Sequence, residues 1–262
     1  MKKIMNLAAM FAAVMVSFSA CQKDNGDENK GNGGWDDDEF TAAITIDGDY
    51  SDWDALDATK VVSCTSNPDY SLQGLKALKV YADALYIHAY IEYDTELASL
   101  NNTAIHFYVN SDNDTTTGGY DDAHLSPDCD FMLEGRICDA GSVVSFDPGM
   151  FRWECPTNDA GWGGFDGSWD PEFTPDASNN WGADLVEGSG AAQGAGANGK
   201  YELSIMRAML PGIVWADTFT LGIDMSADWA TVGVLPNAAP GAEEEGLDPN
   251  GRTNKLVVTI DK

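Results

Sequence analysis

The chain has 262 residues, of which 44% are hydrophobic, and 43 acidic against 14 basic side chains give it a formal net charge of −29. This charge excludes nucleic acid as a partner, because phosphate backbones are bound through clusters of Lys and Arg. The length and the apolar content suffice for one large core, and eight Trp and nine Tyr are too much buriable surface for a disordered chain. The composition therefore predicts one folded domain.

The first residues have the pattern of a secretion signal. Lys2 and Lys3 precede an apolar run over residues 4–16, which is too short to span a bilayer. Residues 17–21 then read Ser-Phe-Ser-Ala-Cys, which resembles a bacterial lipobox. We therefore expect a lipoprotein signal peptide over residues 1–20. An ordinary signal peptide cleaved after Ala20 is the alternative.

Lipidation at Cys21 would anchor the mature protein in a membrane through several acyl chains. Residues 21–40 are rich in Gly, Asn and Asp, a composition typical of a flexible, acidic tether. Residues 22–28 look like the acidic surface-export signals of Bacteroidetes lipoproteins, and the alternative is a tether without an export role. We expect a lipid-anchored outer-membrane protein that faces the cell exterior, with its folded domain at residues 41–262.

Apolar residues recur with a period of two from about residue 41 onward, which is typical of half-buried β-strands. Within residues 84–93, for example, Leu85, Ile87, Ala89 and Ile91 alternate with aromatic or polar residues. The same pattern predicts strands at residues 42–46, 77–81, 105–109, 131–133, 143–146, 201–206, 219–225 and 255–260. So many strands, separated by Gly, Asp and Asn, predict an all-β fold consisting of a single antiparallel β-sandwich.

Residues 161–199 lack any such period, and we expect a long Gly/Trp-rich loop insertion there. Residues 194–199 formally match the glycine pattern G-x-G-x-x-G of dinucleotide-binding proteins. That pattern binds phosphate only between a strand and a helix, whereas residues 201–206 are predicted to be a strand. We therefore interpret the glycines as part of the loop.

Several short motifs follow one another in the order found in a known family of sugar-binding domains. They lie at residues 46–53, 79–87, 107–114, 117–120, 128–135 and 219–223. Together they resemble carbohydrate-binding module family 9. The resemblance implies a jelly-roll-like sandwich, non-catalytic sugar binding and often structural calcium. Residues 161–199 have no counterpart that can be aligned, so the sugar-contacting aromatic residues of the family cannot be transferred.

Oxygen-bearing side chains cluster after the strand predicted at residues 105–109. Asn110, Asp112 and Asp114 stand at alternate positions, and Asp121 and Asp130 follow. Ca²⁺ binds six to eight oxygens, and it relieves the repulsion between neighbouring carboxylates. The cluster predicts a calcium site. A turn whose Asp and Asn side chains bind their own backbone is the alternative.

Tryptophans are concentrated in the predicted loop, where Trp162, Trp169 and Trp181 lie among Gly, Asp and Asn. A flat aromatic ring matches the C–H face of a sugar, and Asp or Asn can bind the sugar hydroxyls. We expect these rings to stack on sugars, with hydrogen bonds from Asp166 and from Asn179 or the adjacent Asn180. Alternatively, the rings pin the loop onto the sandwich.

Three further tryptophans, Trp53, Trp215 and Trp229, stand next to predicted strands and are expected in the core. Cysteines beyond Cys21 either form a disulfide, for which we favour the Cys138–Cys155 pair, or stay free and buried. Two histidines are expected to share one sheet face, as surface or packing residues rather than as metal ligands. They are His88 and His106.

The sequence predicts a non-catalytic cell-surface lipoprotein that binds glycans. No nucleophile elbow, zinc motif or phosphate-binding loop is present, so we expect no enzymatic activity. The expected partners are a poly- or oligosaccharide, outer-membrane lipid through Cys21, and, as a further candidate, outer-membrane uptake machinery. The alternative function is a structural or adhesive surface protein that binds a protein partner.

Overall fold

The computed structural model describes residues 42–114, 129–152, 188–210, 212–237 and 255–262. These residues contain one short α-helix, α1 (Ser51–Ala55), a 3₁₀ turn (Arg207–Met209) and twelve strands. The strands are β1 (Val62–Thr65), β2 (Leu75–Ala82), β3 (Tyr86–Tyr93), β4 (Asn102–Asn110), β5 (Phe131–Asp139), β6 (Ser142–Val143), β7 (Gly149–Arg152), β8 (Ala192–Ala197), β9 (Lys200–Met206), β10 (Thr218–Ala227), β11 (Ala230–Leu235) and β12 (Leu256–Thr259). No helix in these ranges is long and apolar enough to cross a membrane.

The strands form two antiparallel sheets. A five-stranded sheet has the order β1-β2-β3-β9-β8, and a seven-stranded sheet has the order β11-β10-β4-β5-β6, with β12 also paired to β10 and β7 to β5. The apolar residues of both sheets meet in one buried core, which includes Ile87 and Ile91 on β3 and Ile105 and Phe107 on β4. The predicted all-β sandwich is confirmed.

The outer face of the five-stranded sheet is covered by the chain that precedes β1. Residues 42–46, predicted as a strand, do not form one; the buried Ile44 instead packs with Trp53, Tyr81 and Tyr90 in a second apolar cluster. Apolar residues alternate in this segment because its isoleucines pack onto the face of the sheet, although the segment is not a strand of the sheet. The expected burial of Trp53 is confirmed.

A fully buried carboxylate, Glu202 on β9, holds this covering segment in place. Its Oε1 accepts the backbone N–H groups of Asp47 at 3.0 Å and Gly48 at 2.7 Å, and its Oε2 accepts the indole N–H of Trp53 at 3.2 Å. Three donors therefore share one buried acceptor group. Such charge-assisted bonds are about twice as strong as neutral ones.

The glycine-rich tract at residues 192–197 is a strand, β8, and not the loop that its composition predicts. Glycine is required here by close approach, because a Cβ at Gly194 or Gly196 would overlap the ring of Tyr201. The hairpin turn to β9 consists of Asn198 and Gly199, with φ of 55° and 79°. The dipeptide Asn-Gly between two strand-forming runs is a strong sequence signal of a β-hairpin.

The two ends of the sandwich carry different turns, separated by the length of β10. One end joins β2 to β3 and leads into β10 through residues 212–217. The other end joins β3 to β4 through residues 94–101 and β10 to β11 through Asp228 and Trp229. We call them the Trp215 end and the Trp229 end.

Replacing Glu202 with Ala should destabilise the fold by about 3 kcal/mol, since three donors, one of them the buried indole N–H of Trp53, would lose their acceptor. Urea unfolding of the variant measures the change. Glu96→Ala is the matched control, because the Glu96 side chain is exposed; it should change the free energy of unfolding by less than about 0.5 kcal/mol. A Glu202 variant as stable as this control would contradict the role given to the carboxylate.

Candidate functional site

Two tryptophans expected in the core are on the surface, so that expectation was wrong. Trp215 is 85% exposed and Trp229 is 77% exposed. Each stands next to a strand, as the sequence suggested, but each belongs to the turn rather than to the strand. The turn signals were present in the sequence, as Pro211-Gly212 before Trp215 and as Asp228 before Trp229.

The turn that carries Trp215 is held by backbone hydrogen bonds and by a buried side chain. Backbone bonds from Trp215 N to Gly212 O (3.1 Å) and from Ala216 N to Ile213 O (3.2 Å) close the turn. The side chain of Ile213 is fully buried in the core beneath it. The indole of Trp215 is therefore displayed to solvent from a fixed backbone.

A buried guanidinium connects this turn to its neighbour. Arg207, 3% exposed, donates from Nη1 to Asp83 O at 2.8 Å and to Ala84 O at 2.7 Å, and from Nη2 to Ile213 O at 3.0 Å. The carbonyls of the β2–β3 turn and of the Trp215 turn thus share one cation. Leu85 and Val214, exposed by 45% and 40%, lie in these same two turns.

The acidic turn after β4 lies at the same end. A Cβ on Gly212 would overlap the hydroxyl of Ser111, so the two turns are in contact. The amide of Asn113 donates to the Thr218 carbonyl at 2.8 Å, which fixes the acidic turn to the start of β10. Asp112, Asn113 and Asp114 are exposed there. This end of the sandwich combines a solvent-facing indole with carboxylates and amides.

Among the described calcium ligands predicted from the sequence, Asn110, Asp112 and Asp130 accept backbone hydrogen bonds from the turn after β4. Asn110 Oδ1 accepts Asn113 N–H at 2.7 Å, and Asp112 Oδ1 accepts Asp114 N–H at 2.8 Å. Asp130 Oδ2 accepts the N–H and hydroxyl of Ser111 at 2.7 and 2.8 Å.

Burial raises the pKa of Asp130, and the nearby charge of Asp112 adds to the rise. The described part of the chain contains no group of three or more His, Cys, Asp or Glu side chains that could hold a metal ion. The fifth predicted ligand, Asp121, lies outside the described residues. Three of the four described ligands, Asn110, Asp112 and Asp130, therefore accept hydrogen bonds from the turn after β4, and calcium binding stays a prediction.

The predicted sugar-binding residues and the lipidation site also lie outside the described ranges. They are Trp162, Asp166, Trp169, Asn179, Trp181 and Cys21. The assignments of these residues stay predictions.

The two histidines are on different sheets, so the expectation that they share one face was wrong. His88 on β3 is buried and its Nε2 lies 3.1 Å from Asp83 Oδ2. His106 on β4 lies between two carboxylates: its Nδ1 is 2.5 Å from Asp224 Oδ1 on β10, and its Nε2 is 3.4 Å from Glu134 Oε2 on β5. The strand register places Asp224, His106 and Glu134 in one row across the sheet, because His106 is opposite both Asp224 and Glu134.

Burial disfavours the charged form of His106, but the charge and hydrogen bonds of the two carboxylates outweigh it and raise its pKa to about 10. Tyr108 OH donates to the second oxygen of Asp224 at 3.0 Å, which completes the network. With both ring nitrogens facing carboxylates, the imidazolium serves as a double donor and neither nitrogen is available as a metal ligand or base.

Cys138 carries a free thiol 4.0 Å from the Tyr93 hydroxyl, and Cys155, its partner in the disulfide favoured from the sequence, lies outside the described residues. Cys64 is also a free thiol, and burial raises its pKa to about 12. Thiols of high pKa are poor nucleophiles because the thiolate is the reactive species. Cys64 is therefore suited to packing and not to catalysis.

No known protein-family model matches the chain, and no curated protein matches it in sequence. The resemblance to carbohydrate-binding module family 9 accordingly rests on the short motifs alone.

The stability contributed by the His106 network should depend on pH. The pKa of His106 is raised on folding, so its contribution is fully present below about pH 6.5 and is lost as the pH rises through about 10. Urea unfolding of the wild type and of His106→Gln at about pH 6 and about pH 10 measures it. The advantage of the wild type should shrink by as much as about 4 kcal/mol. An advantage that does not change with pH would contradict a charged His106.

Proposed function

We propose that this protein is a non-catalytic, lipid-anchored surface protein that binds glycans through exposed tryptophan rings. The observation that carries the proposal is the 85% exposed Trp215, displayed from a fixed turn at one end of the sandwich. An indole presents a large flat apolar face at low entropic cost, which matches the C–H face of a pyranose ring. Exposing that face to water without a ligand brings the fold no stabilisation.

Hydrogen-bonding groups stand in the turn that contacts the Trp215 turn at Gly212. Asp112, Asn113 and Asp114 are exposed on the neighbouring acidic turn, and the bonds within that turn hold its backbone before any ligand arrives. Side chains already ordered in the free protein lose little entropy on binding. The arrangement supports recognition of sugar hydroxyls next to a stacked ring.

The tryptophan-rich segment supplies a second set of candidates on sequence grounds. We propose that Trp162, Trp169 and Trp181 add stacking faces, with Asp166 and Asn179 as hydrogen-bonding partners. Several stacked rings along one glycan would raise its affinity beyond that of any single contact.

The predicted anchor fits this activity. Lipidation at Cys21 and the acidic tether of residues 21–40 would hold the domain at the outer-membrane surface. Many copies on one surface bind a polysaccharide with avidity. A surface protein of this kind would deliver glycan to outer-membrane uptake machinery.

We also propose that calcium binds at Asn110, Asp112, Asp114, Asp121 and Asp130. The described carboxylates of this set, at Asp112, Asp114 and Asp130, lie in or next to the turn after β4, and a divalent cation would offset their mutual repulsion.

Thermal melting with calcium and with a chelator tests the calcium proposal. Bound calcium should raise the melting temperature in proportion to the logarithm of its concentration, because it stabilises the folded state by mass action. Asp112→Asn should reduce this rise, whereas magnesium should reproduce little of it. Equal melting temperatures with calcium and with chelator would remove the metal from the proposal.

Replacing Trp215 with Ala should weaken glycan binding by about 1–3 kcal/mol, which corresponds to a loss of roughly 5- to 150-fold in affinity. A glycan array of the detergent-solubilised mature protein first identifies a ligand, and calorimetry then compares the variants. The melting temperature should stay unchanged, because the ring is exposed. Trp215→Tyr keeps a flat ring and should retain most of the affinity, and Val214→Ala is the control for the turn.

A Trp215→Ala variant with undiminished affinity, or an array without any bound glycan, would contradict the proposed function. Loss of binding together with a lowered melting temperature would instead give the ring a structural role.

A further inference from the structure

The hairpin turn between β10 and β11 contains a tryptophan, Trp229, at a position with a left-handed backbone. Ala227 pairs with Ala230, which leaves Asp228 and Trp229 as the two turn residues, with φ of 48° and 71°. Two positive φ angles define the type I′ turn, in which Asn-Gly is the preferred pair. A bulky side chain in the left-handed region is an outlier because its Cβ crowds the backbone.

Packing does not offset this strain. Trp229 is 77% exposed, and its neighbours Asp228 and Ala230 are exposed as well. Glycine would meet the backbone demand better, and a buried ring would at least gain apolar contact. Backbone strain that packing does not offset is found at functional sites, where the side chain contacts a ligand.

The connection between β3 and β4 carries further exposed residues at the Trp229 end. Asp228 N–H donates to Asn102 O at 2.9 Å, which ties the turn to the first residue of β4, directly after the connection between β3 and β4. That connection carries Leu97 and Leu100, each 45% exposed, and the exposed amide of Asn101. Exposed apolar side chains and an exposed Asn therefore belong to the same end of the sandwich as the indole of Trp229.

We infer that Trp229 forms a second glycan-contacting site at the opposite end of the sandwich from Trp215, and that the ligand is a neutral polysaccharide. This inference rests on the proposed function and deepens it. Carboxylates stand at the Trp229 end, at Glu96, Asp139 and Asp228, and others stand at the Trp215 end. A sulfated or uronic-acid polysaccharide would be repelled at both ends by a protein with a net charge of −29.

Two sites at opposite ends make the domain bivalent. Strand β10 separates them, and its ten residues span about 30 Å. A long glycan chain bound at one end raises the local concentration of sugar at the other, and two separate chains become cross-linked. Short oligosaccharides are too small to bridge the ends, so they should bind with two sites per protein molecule.

Isothermal titration of the full mature protein with a short neutral oligosaccharide, chosen from the glycan array, counts the sites. The wild type should bind two molecules, whereas Trp229→Gly and Trp215→Ala should each bind one. Trp229→Gly should also melt at the same or a higher temperature, because glycine relieves the left-handed backbone. Trp229→Tyr is the matched control and should keep both sites. Cross-linking of the intact polysaccharide, followed by light scattering, should be lost in Trp229→Gly.

The outcomes separate the two proposals. If Trp215→Ala weakens binding while the wild type has one site and Trp229→Gly changes nothing, the second site is wrong and the proposed function stands. If neither variant affects binding, or no glycan of any kind binds, both are wrong. A lowered melting temperature in Trp229→Gly would show that the ring supports the fold, which overturns the inference. Binding of anionic glycans alone would overturn the assignment of the ligand class.

Discussion

The buried guanidinium of Arg207 is the interaction on which the candidate site depends. It brings the carbonyls of two turns, at Asp83–Ala84 and at Ile213, around one cation that water hardly reaches. A charged donor is stable in such a place only while acceptors such as these carbonyls surround it. The backbone of the Trp215 turn is therefore fixed by the core beneath it and by the neighbouring turn.

The period of two along the chain was enough to predict the sandwich, because each buried strand must turn one row of apolar side chains inward. The same rule failed where a segment packs on a sheet without joining it, as at Ile44. It also failed at β8, where glycines replace the alternation because the Tyr201 ring occupies the space. The alternation of apolar residues predicts which face of a strand is buried, but it does not show which residues pack against that face.

Site residues were harder to predict than strands for a physical reason. Trp53, Trp215 and Trp229 have similar positions beside strands in the sequence, yet one is 4% exposed and two are mostly exposed. The difference is set by a partner remote in sequence: Glu202 accepts the indole N–H of Trp53 and gives it a reason to be buried. The row of Asp224, His106 and Glu134 likewise required the strand register, which no local motif provides.

The covering segment has a mechanical consequence if the domain is tethered through its N-terminal side. A load along the tether would enter the domain at about residue 42, in a segment that adds no strand to either sheet. The first bonds to resist it would be those to Glu202 and the contacts of Ile44 and Trp53, rather than a ladder of backbone hydrogen bonds. Under pull, this segment would peel away while both sheets stayed intact, lengthening the tether and leaving the two ends of the sandwich in place.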